Sequence, residues 1–121
     1  MDDRKSAESI LDCLKNRHLN AITFVMDYVQ FQFDGPYLNA YVWPTVRNSG
    51  NTFDLRTPGY RDACCNLIGN LVVEVSEDAS ERLLIRFADG ATVEVSLKES
   101  DREGPEAAML QDPSGKCWNV W

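Results

Sequence analysis

The sequence predicts an α+β domain that consists mostly of antiparallel sheet, with about six strands arranged as a hairpin and a meander. The hairpin is the first observation behind this prediction, because residues 28–33 and 37–43 alternate apolar with polar side chains on either side of Asp34-Gly35-Pro36. The second is size: 121 residues with 44% hydrophobic composition suit one domain, residues 1–121.

The meander is the third observation. Residues 71–76, 82–87 and 92–97 repeat the two-residue alternation. Asp89-Gly90, between the last two runs, is typical of a two-residue type I′ hairpin turn. Residues 117–121 are expected to form a last strand, and residues 104–110 either one helical turn or an edge segment.

An N-terminal helix is predicted over residues 5–16. Asp2 or Asp3 supplies its cap, because a short carboxylate accepts hydrogen bonds from the free N–H groups of a first helical turn. Its apolar stripe has helical spacing and consists of Ile10, Leu11 and Leu14.

A short central helix is predicted over residues 60–68, with Gly69 as its left-handed C-cap. Its inner face is expected to be Tyr60, Cys64, Leu67 and Ile68. Residues 45–58, which precede it, are interpreted as an irregular stretch that is either a connector or a binding loop.

The charge balance limits the function. With 19 acidic and 12 basic residues the net charge is −7, which argues against binding nucleic acid or an anionic membrane surface. No apolar run approaches the roughly 20 residues that span a bilayer, and the N-terminus lacks the apolar region of a secretory signal. We therefore expect a cytoplasmic protein.

The sequence contains no recognisable catalytic or metal-binding motif. The single histidine and the lack of a nucleophile elbow or a phosphate loop predict a protein that is not an enzyme and has no cofactor. A zinc site would have to combine Cys13, His18, Cys64 and Cys117, whose spacing lacks the usual pairs, so the cysteines are interpreted as small buried side chains.

Acidic residues are concentrated in the second part of the chain. Residues 74–121 carry 11 acids against 5 bases, whereas residues 1–73 carry 8 against 7. This asymmetry either serves solubility or binds a basic protein partner. The candidate partner-binding residues are Glu74, Glu94, Glu99, Asp101 and Glu103.

Aromatic residues form a second feature of the first hairpin. Tyr28, Tyr37, Tyr41 and Trp43 lie on the strand face opposite the aliphatic side chains. These rings either form an interface, where tyrosine and tryptophan are enriched, or lie under the N-terminal helix as a second core layer.

Residues 28–35, 58–62, 67–69 and 83–90 resemble segments of small uncharacterised bacterial domains, and the resemblance extends over residues 21–121. Some proteins of this size and acidity are immunity proteins against antibacterial toxins. The resemblance implies no catalytic residue.

The leading hypothesis is thus a non-enzymatic binding domain for a basic protein, of which an immunity protein is one instance. One alternative is a small-ligand pocket at Trp43, Phe53 and Tyr60. Another is a homodimeric structural module that pairs through its first or last strand.

Overall fold

The computed structural model describes residues 9–121 and contains two five-stranded antiparallel sheets. Sheet A has the order β1-β2-β3-β9-β10, and its strands are Ala21–Val25, Tyr28–Gln32, Tyr37–Ala40, Ala108–Gln111 and Trp118–Val120. Sheet B has the order β5-β4-β8-β7-β6, where β4 is Thr45–Asn48, β5 Asn51–Phe53, β6 Val72–Asp78, β7 Arg82–Phe87 and β8 Thr92–Ser96.

The inner faces of both sheets contribute to one hydrophobic core. In sheet A, Val29 and Phe31 are buried while the residues between them are not, which confirms the predicted alternation. In sheet B, Leu83, Ile85 and Phe87 behave in the same way. Burying each such side chain contributes roughly 1.5–3 kcal/mol, so the alternation fixes which face of each strand points inward.

The predicted number of strands was wrong, because about six were expected from the alternation and residues 9–121 form ten. The run over residues 21–33 is two strands, since the chain reverses at Met26 and Asp27 and Val25 pairs with Tyr28. The stretch over residues 45–58 contains the β4–β5 hairpin, which turns at Ser49 and Gly50 with φ of 53° and 83°.

Residues 108–111 form β9, a strand inside sheet A between β3 and β10. Both predictions for this segment were wrong, because it is neither a helical turn nor an edge strand. Ala108 and Leu110 are fully buried, so they fill the core where small and branched side chains from β3 face them. The predicted last strand is confirmed as β10.

The prediction of an N-terminal helix over residues 5–16 was also wrong. Its predicted start, including the caps Asp2 and Asp3, lies outside the described residues. Within the described residues, the predicted segment forms only a short 3₁₀-helix, η1, over Ile10–Leu14. Ser9 caps it: the Ser9 Oγ accepts a hydrogen bond from the Leu11 N–H at 3.1 Å, and the Asp12 carboxylate accepts one from the Ser9 N–H at 3.3 Å.

The central helix is confirmed and is shorter than predicted, with α1 over Tyr60–Cys65. Gly69 takes the left-handed conformation, with φ of 97°, but it is not the predicted C-cap, because the helix ends at Cys65 and its C-cap is Asn66. Tyr60, Cys64 and Leu67 are buried, but Ile68 is 44% exposed and does not belong to the inner face. The Tyr60 hydroxyl donates a hydrogen bond to the backbone carbonyl of Pro44, which joins α1 to the link that leads into sheet B.

The β7–β8 turn contains Asp89-Gly90 as predicted, but it is not of type I′. The Phe87 N–H donates to the Ala91 carbonyl at 2.9 Å, so the loop has three residues, and Gly90 alone among them has a positive φ, 93°. A three-residue loop that ends in a left-handed glycine is the second common way to close a hairpin.

The chain crosses from sheet A to sheet B after β3 and returns after β8. Residues 97–107 form the return link, which contains the short 3₁₀-helix η2, Glu99–Asp101. Arg102 fastens this link, because its guanidinium donates hydrogen bonds to the carbonyls of Leu97 at 2.8 Å and Pro105 at 3.0 Å. Among residues 9–121, no helix is long and apolar enough to cross a membrane.

Candidate functional site

The outer face of sheet A carries no charged side chain within the described part of the chain, although 26% of the whole sequence is charged. We call it the uncharged face. Strand register places its residues in rows that alternate with the buried ones. The uncharged face consists of Ala21, Thr23, Val25, Tyr28, Gln30, Gln32, Tyr37, Asn39, Tyr41, Met109, Gln111, Trp118 and Val120.

Side-chain amides are connected across the middle of this face. Gln32 donates to Gln30 at 2.9 Å, Gln30 donates to Asn39 at 2.9 Å, and Asn39 donates to the Tyr41 hydroxyl at 3.3 Å. Asn39 is only 6% exposed, so its amide needs these partners. The network holds the side chains of the uncharged face in fixed positions.

A groove of about 470 Å³ opens at one end of the uncharged face. We call it the tyrosine groove, and it is lined by Asp27, Tyr28, Tyr41, Glu103, Gly104, Pro105 and Glu106. The rings of Tyr28 and Tyr41 lie 5.4 Å apart between centroids and are tilted by 59°, which is a favourable arrangement of two aromatic rings.

Two separate parts of the fold supply the carboxylates of the tyrosine groove. Asp27 lies in the turn between β1 and β2, next to Tyr28. Glu103 and Glu106 lie in the return link, where the Arg102 hydrogen bonds fix the carbonyls on either side of Glu103. The groove thus combines aromatic ring faces with three exposed carboxylates, an environment that attracts a cation.

Exposed apolar side chains flank the same face. Met26, in the turn beside the tyrosine groove, is 93% exposed, and Trp118 on β10 is 59% exposed. Aromatic residues and methionine are enriched in protein–protein interfaces, and charged residues are depleted from the centres of such interfaces. The composition of the uncharged face matches that description.

The acidic residues predicted to bind a partner do not form one surface. Glu94 and Glu74 lie on the outer face of sheet B, where arginines neutralise them: Glu94 lies 2.8 Å from Arg47 and 3.6 Å from Arg82, and Glu74 lies 3.0 Å from Arg86.

The other three predicted acidic residues lie in or beside the return link. Glu99 and Asp101 belong to η2, and the Asp101 carboxylate accepts a hydrogen bond from Ser96. Of these three residues, only Glu103 lines the tyrosine groove. The structure therefore brings Glu103 together with Asp27 and Glu106 rather than with Glu74 and Glu94.

The three residues of the predicted ligand pocket face different depressions. Trp43 lines one of about 480 Å³, together with Arg56, Glu94 and Asp101 among others. Phe53 lines a second of about 350 Å³ beside α1. Tyr60 contributes to a third of about 420 Å³, but the residue itself is 3% exposed. None of these three depressions is lined by more than one of Trp43, Phe53 and Tyr60.

The first described helix does not lie over the outward aromatic residues of the first hairpin. The 3₁₀-helix η1 packs against β6 of sheet B, so among the described residues it does not cover the hairpin of sheet A. Tyr28, Tyr37 and Tyr41 share the uncharged face, where the Tyr37 hydroxyl donates to Gln111 at 2.9 Å. Trp43 lies beyond β3, in the link to sheet B.

Neither Cys64 nor His18 lines the tyrosine groove. Burial raises the pKa of the Cys64 thiol to about 11, which keeps it protonated at neutral pH. His18 lies in an isolated bridge to Leu71 rather than at a helix end. Within residues 9–121, no group of three or more His, Cys, Asp or Glu side chains is arranged to hold a metal ion.

Sequence reasoning placed Tyr28, Tyr41 and Glu103 among the candidates but missed Met26, Asp27 and Glu106. A signal for the first two was present in the sequence, because Asp27, next to Met26, interrupts an otherwise apolar run. Glu106 carried no such signal, since its place beside Tyr41 depends on the path of the return link.

No protein-family model, no curated protein and no solved structure matches this chain.

Proposed function

We propose that this protein is a non-enzymatic binding domain that receives a basic segment of a protein partner in the tyrosine groove. The observation that carries the proposal is the tilted aromatic pair Tyr28 and Tyr41 beside three carboxylates, from Asp27, Glu103 and Glu106. The uncharged face beside the groove supplies the rest of the contact area.

Charge and ring geometry favour a cationic guest. A lysine or arginine side chain over a tyrosine ring gains about 0.5–1 kcal/mol when exposed and about 2 kcal/mol when desolvated. Carboxylates around the same groove add a Coulomb attraction that weakens with salt. They also repel acidic competitors, so the groove selects for basic segments.

A protein partner suits this site better than a free small molecule. The tyrosine groove is open along the uncharged face, so it cannot enclose most of a small ligand's surface. Met26 and Trp118 expose apolar surface outside the groove, which a protein partner covers. A toxin whose basic nucleic-acid site is masked by this domain is one instance of such a partner, and a cytoplasmic location is part of the same proposal.

Affinity capture with matched variants tests the proposal. The tagged protein is used as bait in the native lysate at about 50 and about 300 mM salt, which brackets physiological screening. The groove variant is Glu103→Lys/Glu106→Lys. The control, Asp78→Lys/Glu99→Lys, changes the net charge equally at two exposed acidic residues that do not line the groove.

We expect the wild type and the control to capture a basic protein at the lower salt and to release it at the higher one. The groove variant should capture at least about tenfold less, which corresponds to about 1.4 kcal/mol. Equal capture by all three baits would contradict the groove as the contact. Capture lost only in the control would locate the contact at Asp78 and Glu99 instead. A bait that captures nothing would favour a small ligand or self-association.

A further inference from the structure

The outer strands of the two sheets are not equally protected against pairing with another chain. Natural proteins protect a sheet edge by making its strand short, by placing charges on it or by a bulge. Among residues 9–121, the edge strands β10 and β5 have three residues each. The edge strand β6 carries Glu74, Glu77 and Asp78, and its register with β7 shifts between Val72 and Glu74. These three edges are therefore protected.

The remaining edge strand, β1, has none of these protections. Its five residues, Ala21–Val25, include no charged side chain and no proline. Its register with β2 is continuous, without a bulge between Ala21 and Val25. An added strand therefore meets less resistance at β1 than at the other edges of the two sheets.

The pairing of the first strands shows which backbone groups of β1 point outward. The Phe33 N–H donates to the Pro36 carbonyl at 2.8 Å, on the side of β3. Because alternate residues of an antiparallel strand bond to opposite neighbours, Phe31 also bonds to β3, and its β1 partner Ile22 directs its N–H and C=O to the open edge. The same holds for Phe24, two residues further on. No backbone hydrogen bond from another described segment reaches either residue of β1.

We propose that β1 receives an extended segment of the partner as an added antiparallel strand beside the tyrosine groove. The inference rests on the proposed function, because the groove begins where β1 ends: Met26 and Asp27 follow the strand directly, and Asp27 lines the groove. A segment paired with β1 can therefore continue into the groove. Strand addition supplies backbone hydrogen bonds whatever the sequence, and the carboxylates of the groove supply the preference for a basic side chain.

The surroundings of β1 also predict the residue pattern of this segment. Phe24 lies on the inner side of the sheet, since its partner Val29 is buried, and the Arg61 guanidinium carbon lies 5.6 Å from the centre of the Phe24 ring. Arg61 repels a cation on the inner side of the added strand. The outer side borders the uncharged face and leads to the carboxylates of the groove. The segment should thus alternate, with apolar residues inward and basic residues outward.

A second copy of the chain fits this edge less well than a basic segment does. Its own β1 contains no basic residue, so a β1–β1 pair brings no cation to the groove. Each copy also carries a net charge of −7, and like net charges oppose association. We therefore assign the edge to a partner segment.

The test uses a short peptide of alternating lysine and valine, and two N-methylated forms of it. One form is methylated at the backbone nitrogens of the valines and the other at those of the lysines, so the charge stays the same. In an antiparallel pair, the peptide residues opposite Ile22 and Phe24 donate to them, and these are the inward valines. Methylated valines should weaken binding to the full chain at least about tenfold, whereas methylated lysines should change it by about twofold or less.

Amide hydrogen exchange supplies a second measurement. The amides of Ile22 and Phe24 should exchange fast in the free protein and slowly when the unmethylated peptide is bound, whereas the Thr23 amide, which faces β2, should be protected in both states. Ile22→Pro removes one outward N–H and no hydrogen bond to β2, so it should weaken peptide binding. Ile22→Val is the matched control and should bind like the wild type.

Equal affinity for the three peptides, still dependent on Glu103 and Glu106, would overturn strand addition and leave the proposed function in place. Binding of none of them would contradict the proposed function itself. Weakening by methylated lysines alone would overturn the antiparallel orientation. Protection of Ile22 and Phe24 that grows with protein concentration and needs no peptide would assign the edge to a second copy. The peptide series decides the question even where Ile22→Pro fails to fold.

Discussion

Tyr28 and Tyr41 lie 13 positions apart in the chain, and their ring centroids are 5.4 Å apart in the structure. The antiparallel pairing of β2 with β3 brings them together, because Val29 faces Ala40 and the next pair outward is Tyr28 with Tyr41. The return link from sheet B then places Glu103 and Glu106 beside the same rings. The tyrosine groove therefore depends on both sheets, although only sheet A supplies its aromatic part.

Arg102 is expected to hold the acidic wall of the groove in position. Arg102→Ala removes the hydrogen bonds to the Leu97 and Pro105 carbonyls, so urea denaturation should show a loss of about 1–2 kcal/mol in the free energy of unfolding. Capture of the basic partner should fall as well. The control is Arg56→Ala, an equal charge change in an exposed loop, which should alter stability by less than about 0.5 kcal/mol. Equal effects of the two variants would rule out this role.

Asn39 is expected to be the most costly polar residue of the uncharged face to replace. Asn39→Ala leaves Gln30 without its hydrogen-bond acceptor and the Tyr41 hydroxyl without its hydrogen-bond donor. The Asn39 side chain is only 6% exposed, so water cannot easily replace these partners. The expected loss of stability is about 1–3 kcal/mol by urea denaturation. Gln32→Ala, at the donor end of the same network, should cost about 0.5 kcal/mol or less. A larger loss in Gln32→Ala would contradict the network as described.

Met26 is expected to serve binding and not folding. At 93% exposure its side chain contributes little to the core, so Met26→Ser should leave the melting temperature within about 2 °C of the wild type. Partner affinity should fall severalfold, because a side chain that is exposed in the free protein becomes buried in the complex. Unchanged affinity would exclude the β1–β2 turn from the contact.

The free energy of unfolding is expected to fall at alkaline pH, partly because the Cys64 thiol loses its proton there. Burial raises the folded-state pKa of Cys64 from 9.0 to about 11, so the folded protein holds this proton more tightly than the unfolded chain. The contribution is complete below pH 9 and is lost as pH rises towards 11, at up to about 1.4 kcal/mol per pH unit. Urea denaturation at a series of pH values measures the slope.

Cys64→Ala is the matched variant for the pH series. It should be less stable at pH 7 because it leaves a small cavity, yet its stability should fall less steeply between pH 9 and 11. The Cys13→Ser variant should reduce the slope in the same direction, since the pKa of Cys13 is also raised. Identical slopes in all three proteins would show that these thiols are not the titrating groups.

Local alternation predicted the parts of the fold in which one strand face is buried. Phe31 and Leu38, or Ile85 and Val93, pair across neighbouring strands with both side chains in the core, and the sequence shows that periodicity directly. The β4–β5 hairpin was missed because, of its two strands, only Val46 is buried, so no alternation is visible. Its turn signal, Ser49-Gly50, was present in the sequence.

The first helix and β9 were misjudged for a different reason. Ser9 is a strong cap, and it starts a short 3₁₀-helix within the segment for which the spacing of Ile10, Leu11 and Leu14 predicted a longer helix. Ala107 and Ala108 favour a helix locally, but pairing with β3 and burial of both residues override that preference. Half of the groove was likewise invisible, since no local pattern relates Glu106 to Tyr41.

The most direct test of the central claim is a titration of the ¹⁵N-labelled full chain with a short peptide rich in lysine and arginine, followed by amide chemical shifts. We expect saturable shifts at Asp27, Tyr28, Tyr41 and the residues around Glu103 and Glu106, which shrink at about 300 mM salt and vanish in Glu103→Lys/Glu106→Lys. Shifts spread evenly over the acidic residues of both sheets, or concentrated near Glu74 and Glu94, would contradict the tyrosine groove as the binding site.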